Sequence, residues 1–164
     1  MRQIWAPWRI KYILDNEQQE GCIFCNALKS EDDTKHQVLI RRKNCFAMIN
    51  KFPYNSGHLM VAPNEHTGDL SVLSKKVMAE VMELTVDCQK IITDVMRPEG
   101  FNLGINNGKV AGAGIVDHIH MHIVPRWNGD TNFMPVLSDT RVVPQALEDT
   151  YRILLDKKVE LFGE

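Results

Sequence analysis

No uninterrupted apolar run in the 164 residues comes near the roughly 18 that cross a membrane as a helix. Net charge is nearly missing too: 19 Lys and Arg stand against 21 Asp and Glu, leaving −2. That balance argues against a broad basic platform for nucleic acid. It leaves room for a local pocket that takes a small anion. Cysteine is scarce at four residues, which in a reducing compartment means free thiols or metal ligands rather than disulfides. Internal repeats and low-complexity tracts are absent. The opening residues, Met1 to Arg9, lack the apolar core of a signal peptide, so a cytoplasmic location is expected. What is present is ordinary: 44% hydrophobic and 24% charged residues, over a length that suits one domain. Such a chain can bury roughly 70% of its unfolded surface, so its core needs no staples.

Residues 1–20 start aromatic and basic (Trp5, Trp8, Arg9, Lys11, Tyr12) and turn polar, as in an arm that packs on something. Short β-rich runs follow at 37–41, 45–50 and 58–62, punctuated by Arg42-Lys43-Asn44 and by Pro53-Tyr-Asn-Ser-Gly57. From about 69 to 97 the period changes. Leu73, Val77, Val81, Leu84, Cys88, Ile91 and Val95 form the apolar stripe of a long helix, which Ser74 can cap and Pro98 and Gly100 stop. Strands are expected again at 101–106 and 118–125, around a glycine-rich loop at 107–114, and a last helix at 147–161. This order reads as α+β, with a mainly antiparallel five-stranded sheet, one long helix and a C-terminal helix. Cys45 and Cys88 fall on apolar elements and read as core. Met78, Met82 and Met96 read as packing or an interface, and His36 as a solvated loop residue.

Three of the six histidines form His118-Ile-His120-Met-His122-Ile-Val-Pro125. Strict alternation with apolar residues is a strand pattern, which puts the imidazoles on one face, roughly 6.5–7 Å apart in steps. Two chemistries suit such a row. One is a metal centre. The other is a nucleophilic histidine whose neighbours set its tautomer and bind an anion. No carboxylate shares the face, which weakens the metal reading. The preceding Ala111-Gly-Ala-Gly114 has no bulky side chains, so its backbone N–H groups could approach a phosphate, with Arg126 adding positive charge. Upstream, Cys22-Ile-Phe-Cys25 has the spacing of a zinc knuckle or a redox pair. Its polar lead-in and Gly21 favour the knuckle, which needs two further ligands.

These residues together resemble the histidine triad family. The likeness runs through Asn50, Ser56-Gly57-His58-Leu-Met-Val61, Asn106-Asn107-Gly108, the triad, and Pro125-Arg126-Trp127-Asn-Gly129-Asp130-Thr-Asn-Phe133. The last block and the N-terminal Trp-Ala-Pro-Trp-Arg are similar to the branch with the bacterial diadenosine tetraphosphate phosphorylases. The resemblance implies that His120 attacks an α-phosphate and becomes nucleotidylated, while His122 and His58 flank it and bind the phosphate. It implies nucleotide contacts from Asn50, Asn106 and the Gly112-Ala113-Gly114 loop. It also implies a structural zinc on Cys22, Cys25, His66 and His118. The attack itself formally requires no divalent metal, although substrate phosphates can arrive bound to magnesium. Many members carry Gln-Ser or Gln-Thr before the triad. Here Gly114-Ile115 stands instead, so phosphate contacts made elsewhere by side chains would come from backbone amides or be absent.

The expected protein is therefore a homodimeric or higher-order enzyme that cleaves AMP-containing dinucleoside polyphosphates, with phosphate favoured over water as acceptor. It would need neither nucleic acid nor membrane. The expected organisation is an arm at 1–20, the nucleotide-binding domain at 21–135, and a tail with a helix at 136–164. A nucleoside phosphoramidase, a non-catalytic nucleotide-binding module and a histidine metal centre are the rival readings.

Overall fold

The computed structural model describes residues 21–130 and 146–163. The expected arm with Trp5 and Trp8, Phe133, and the first part of the tail lie outside the described residues.

Five strands form one antiparallel sheet in the order β1-β2-β3-β5-β4. They are β1 (Val38–Arg41), β2 (Cys45–Ile49), β3 (Leu59–Pro63), β4 (Gly100–Ile105) and β5 (Met121–Arg126). Both faces of the central strands are buried. On one face Cys45, Ala47, Ile49, Leu59, Val61 and Ile123 pack against Val81, Leu84, Cys88, Ile91 and Ile92 of the long helix. On the other, Phe46, Met48, Met60 and Ala62 pack against Phe24 and Ala27. The period-2 alternation along β2 and β3 therefore sorts apolar residues between two cores rather than between core and solvent.

Among the described residues four α-helices flank the sheet: α1 (Ile23–Lys29), α2 (Asp33–His36), α3 (Lys75–Met96) and α4 (Leu147–Phe162). Helix α3 follows the apolar stripe, and the Ser74 side chain caps it by accepting from the Val77 N–H. Its start is later than 69, because Leu70–Val72 form a separate 3₁₀ turn capped by Asp69. Helix α4 packs on α3 and β1, and the Tyr151 hydroxyl donates to the Val38 carbonyl at 2.9 Å. Cys45 and Cys88 are fully buried, and burial pushes the Cys45 thiol up to about 12.

The short helices α1 and α2 were not anticipated, being too brief to show a period. Arg41 anchors the end of α1 by donating from one guanidinium nitrogen to the carbonyls of Ala27 at 2.7 Å and Ser30 at 3.0 Å; the Ala27 carbonyl also accepts from the Ser30 N–H at 3.3 Å.

The fifth strand begins later than expected. The ladder starts at Met121, and the Ile119 N–H instead donates to the Thr67 carbonyl at 2.7 Å. His118 and His120 thus lie in irregular chain that leads into the sheet, and His122 lies within it.

At the far end of β5 a carboxylate closes the sheet. Asp130, with 6% of its side chain exposed, accepts from Arg126 Nε at 2.5 Å and from Asn55 Nδ2 at 2.9 Å. It also accepts from the Trp127 N–H at 3.2 Å. Arg126 holds the Asp130 carboxyl at about 2, well below the usual carboxylate range. A depressed folded-state value stabilises the fold above the unfolded value near 4, and that contribution is lost as pH falls through about 2. Because Arg126 is partly exposed, we expect Asp130→Asn to cost only about 1–2 kcal/mol at pH 7, a Tm drop of about 2–8 °C. The gap between the two proteins should close on acidification toward pH 2. A gap that stays constant with pH would exclude this role.

Candidate functional site

The register of the sheet builds one wall of a pocket. Met48 pairs with Met60, and Met60 pairs with His122, so these three side chains form a row across β2, β3 and β5. Ile23 and Asn26 of α1, Lys35 and His36 of α2, and the loops at 50–54 and 112–115 close around it. The cavity measures about 280 Å³, near the lower end of small-molecule sites, and His120 and His122 line it. No carboxylate lines it among the described residues.

His120 is held from behind. Its Nδ1 lies 2.8 Å from the carbonyl oxygen of His118. A carbonyl only accepts, so Nδ1 carries the proton and Nε2 keeps its lone pair. Burial lowers its proton affinity, partly offset by that hydrogen bond. A neutral imidazole with a free Nε2 is a nucleophile.

A second chain of hydrogen bonds sets His122. The Tyr54 N–H donates to His58 Nδ1 at 3.1 Å, and the Asn50 amide lies 3.3 Å from the same nitrogen. His58 therefore carries its proton on Nε2, which donates to His122 Nδ1 at 3.0 Å. That leaves the His122 proton on Nε2. Burial, reinforced by the neighbouring His120, pushes His122 down to about 4, so near neutral pH it is an uncharged donor.

His118 points elsewhere. Its Nδ1 lies 3.3 Å from Cys22 Sγ, 3.7 Å from Cys25 Sγ and 3.3 Å from His66 Nδ1. Cys25 Sγ and His66 Nδ1 are also 3.3 Å apart. The donor atoms of all four residues lie within 4.8 Å of one another. A tetrahedral zinc with Zn–S about 2.3 Å and Zn–N about 2.0–2.1 Å has donor–donor edges of about 3.3–3.8 Å, so the four residues fit that ion. The outer contact fits as well: His118 Nε2 lies 2.8 Å from the Pro63 carbonyl, which fixes the proton there and turns the Nδ1 lone pair toward the cluster. Gly68 makes the juxtaposition possible. A Cβ there would run into the Val116 carbonyl oxygen, so only glycine lets the chain after His66 lie along the chain before His118.

The structure brings together Cys22, Cys25, His66 and His118 at one cluster, and His120, His122, Asn50, Gly112 and Gly114 at the pocket. It separates others from the roles first expected. His58 is fully buried behind His122 and does not line the cavity, so it reaches a phosphate only through His122. Asn106 is not a wall residue; its amide donates to the Gly112 carbonyl at 3.5 Å. Ala113 is 8% exposed and its N–H is turned to the Gly108 carbonyl. The expected cradle of backbone amides is largely consumed by this turn, since Ala111 and Gly112 also donate within it. Arg126 is engaged by Asp130 and by Asn102 and does not line the cavity. The triad does not converge on a single metal, because His118 faces the cysteines while the other two face the pocket.

Sequence reading missed the rest of the wall: Ile23, Asn26, Lys35, Met48, Ile49, Lys51, Phe52, Tyr54, Met60 and Ile115. His36, expected to be solvated, is half-buried on that wall, and burial, with Lys35 and Lys51 beside it, disfavours its charged form. Alternation along 45–49 and 59–63 could have located Met48 and Met60; nothing in the residue pattern locates α2.

A family model described as the HIT domain matches residues 31–129. An AP-4-A phosphorylase of Mycobacterium tuberculosis is 35% identical over 161 residues, covering 94% of this chain and 83% of that protein. An adenosine 5′-monophosphoramidase of Schizosaccharomyces pombe is 34% identical over 108 residues, covering 66% of this chain and 76% of that protein. A crystal structure of a zinc-bound histidine triad family protein from Mycobacterium smegmatis matches with a TM-score of 0.70 at 25% identity. It covers 87% of this chain and 96% of that one.

Gly68→Ala tests the four-residue cluster. The wild type should take up one Co²⁺ per chain with the absorption of a tetrahedral thiolate site. The alanine variant should bind it roughly 10- to 100-fold more weakly, as His66 and His118 are pried apart. Equal affinities would show that the close approach does not build the site.

Proposed function

The chain belongs to the HIT domain family, and within it we propose an enzyme that cleaves dinucleoside polyphosphates through a nucleotidyl-His120 intermediate. The observation that carries this reading is the 2.8 Å contact between His120 Nδ1 and its own chain, which leaves Nε2 as the nucleophile on the pocket wall. The Nε2 lone pair attacks the α-phosphorus, and the P–O bond to the bridging oxygen breaks with its electron pair leaving on the departing nucleotide. The His122 Nε2–H donates to the phosphoryl group as charge develops there. In the second half the acceptor oxygen attacks the same phosphorus. The P–N bond breaks, and the pair returns to Nε2.

Asn50 suits the ribose. Its Oδ1 accepts from the Phe52 N–H at 2.9 Å, and a carboxamide oxygen has a second lone pair for a hydroxyl. The apolar side chains of Ile23, Met48, Met60 and Ile115 suit a base. With no carboxylate on the described wall, magnesium would be held by substrate phosphates rather than by this chain.

For the acceptor, inorganic phosphate is favoured over water, supported by the likeness to a protein named as an AP-4-A phosphorylase. Arg126, first thought to assist, is unavailable; Lys35 and Lys51 are the wall cations that could offset repulsion between two anions. A phosphoramidase is the second reading, favoured by the likeness to a monophosphoramidase and by a first half-reaction that differs only in its leaving group.

We further infer a closed structural zinc on Cys22, Cys25, His66 and His118, supported by the donor geometry and by the zinc-bound structural neighbour. When bound, the ion cross-links α1 to the segments after β3 and before β5. A homodimer is consistent with the unpaired outer edge of β4 among the described residues and with the exposed Met78, Met82 and Val86 of α3.

His120→Ala should lower turnover of diadenosine tetraphosphate at least about a hundredfold while leaving nucleotide affinity largely intact. Retained turnover would exclude the nucleophile. With labelled phosphate, labelled ADP is expected from the wild type; AMP and ATP at a rate indifferent to phosphate would identify a hydrolase. Removing zinc should lower Tm, by about 2–4 °C for each kcal/mol lost. An unchanged Tm would exclude a structural ion.

A further inference from the structure

The segment Cys22-Ile23-Phe24-Cys25 reaches three places at once. Both cysteines enter the four-residue cluster, Ile23 lines the pocket, and Phe24 turns between them into the core. Phe24 is fully buried and does not line the cavity. Its ring centroid lies 4.9 Å from that of His118 and 4.9 Å from that of His120, tilted by 44° and 39°. Phe46 backs it edge-on at 6.2 Å.

Consider what fixes the aim of His120 Nε2. The hydrogen bond to the His118 carbonyl pins Nδ1 but permits the ring to rock about that anchor. On one side the His122 ring stands at 4.7 Å and 71°. Against the ring also stands Phe24. Phe24 is in turn carried by the first turn of a seven-residue helix, and a helix that short does not hold itself. Arg41 restrains its C-terminal end, while at its N-terminal end Cys22 and Cys25 reach the metal-ligand cluster.

We propose that Phe24 is a positioning residue that transmits occupancy of the Cys22–Cys25–His66–His118 cluster to the aim of His120. With the ion in place the start of α1 is fixed and the ring holds the imidazole in line with the phosphate. Without it, Cys22 and Cys25 are released, Phe24 moves, and the nucleophile loses its aim while the pocket keeps its affinity. The inference rests on His120 as nucleophile and on the four-ligand metal site.

The test compares the zinc-loaded wild type with Phe24→Leu, which keeps most of the apolar volume and loses the flat ring, and with Phe46→Leu, which trims the same core without touching a histidine. If Phe24→Leu fails to fold, Phe24→Met replaces it. Single-turnover trapping of the nucleotidyl-enzyme with diadenosine tetraphosphate should slow roughly 10- to 100-fold in Phe24→Leu, with KM and zinc content unchanged. Phe46→Leu should lose stability and keep the rate. The second readout is the hydrogen-bonded Nδ1 proton of His120, observed with labelled histidine and assigned by its loss in His120→Ala. It should shift or broaden alike in Phe24→Leu and in wild type stripped with a chelator.

Wild-type speed in Phe24→Leu, equal slowing in Phe46→Leu, loss of zinc from Phe24→Leu, or an unmoved proton signal after stripping would each overturn the proposal. A wild type that traps no nucleotide would overturn the nucleophile reading instead, and the proton signal would still decide whether Phe24 positions the ring. A wild type that holds no zinc would overturn the metal site and with it the coupling.

Discussion

The hydrogen bond from His120 Nδ1 to the carbonyl of His118 is the constraint on which the site depends. It is a bond between residues two apart, so it cannot form in a regular strand, where carbonyls point across to the neighbouring chain. The chain before β5 must therefore stay out of the ladder, and it does: the Ile119 N–H goes to Thr67, and pairing starts only at Met121. The detour brings His118 beside His66 and the cysteines. One irregular tripeptide thus sets a tautomer and brings His118 into the cluster with Cys22, Cys25 and His66, and neither follows if the strand simply extends backward.

The partner side of the triad is organised by the same logic with the proton running the other way. A backbone N–H at Tyr54 obliges His58 Nδ1 to accept; His58 then donates to His122, and His122 must donate outward. Burial, and no carboxylate, disfavours the charged forms of His120 and His122. The carboxylate nearest in sequence after the strand, Asp130, is fully engaged by Arg126, Asn55 and Trp127. A carboxylate against His120 would raise its proton affinity and remove the lone pair.

Much of this was legible in the residues, for reasons that differ by element. Helix α3 is 22 residues long, so its stripe repeats often enough to read, and Ser74 marked its cap. The strands showed by β-rich runs between turns, and the grouping of Cys22, Cys25, His66 and His118 was expected only from the family resemblance. Helices α1 and α2 were illegible because seven and four residues span too few turns for a period. Arg126 and the glycine-rich loop were misread for a common reason. A cation and a run of small residues suggest an anion site, but whether their donors are free is decided by neighbours distant in sequence or by the turn's own closure: Asp130 and Asn102 for Arg126, the Gly108 carbonyl for Ala111 and Ala113.

A chain with net charge −2 that handles polyanions must arrange attraction locally. Here the wall offers Lys35 and Lys51 and no carboxylate among the described residues, so the field inside the pocket is opposite in sign to that of the whole chain. Burial disfavours the charged forms of His120 and His122, so they do not compete with those cations for an anion. The apolar side chains around them exclude water, and in that lower dielectric a single N–H aimed at a phosphoryl oxygen is worth more than it would be at a solvated surface. Burial thus does two jobs with one set of contacts: it disfavours the charged forms of His120 and His122, and it strengthens the few polar contacts that the pocket can make to an anion.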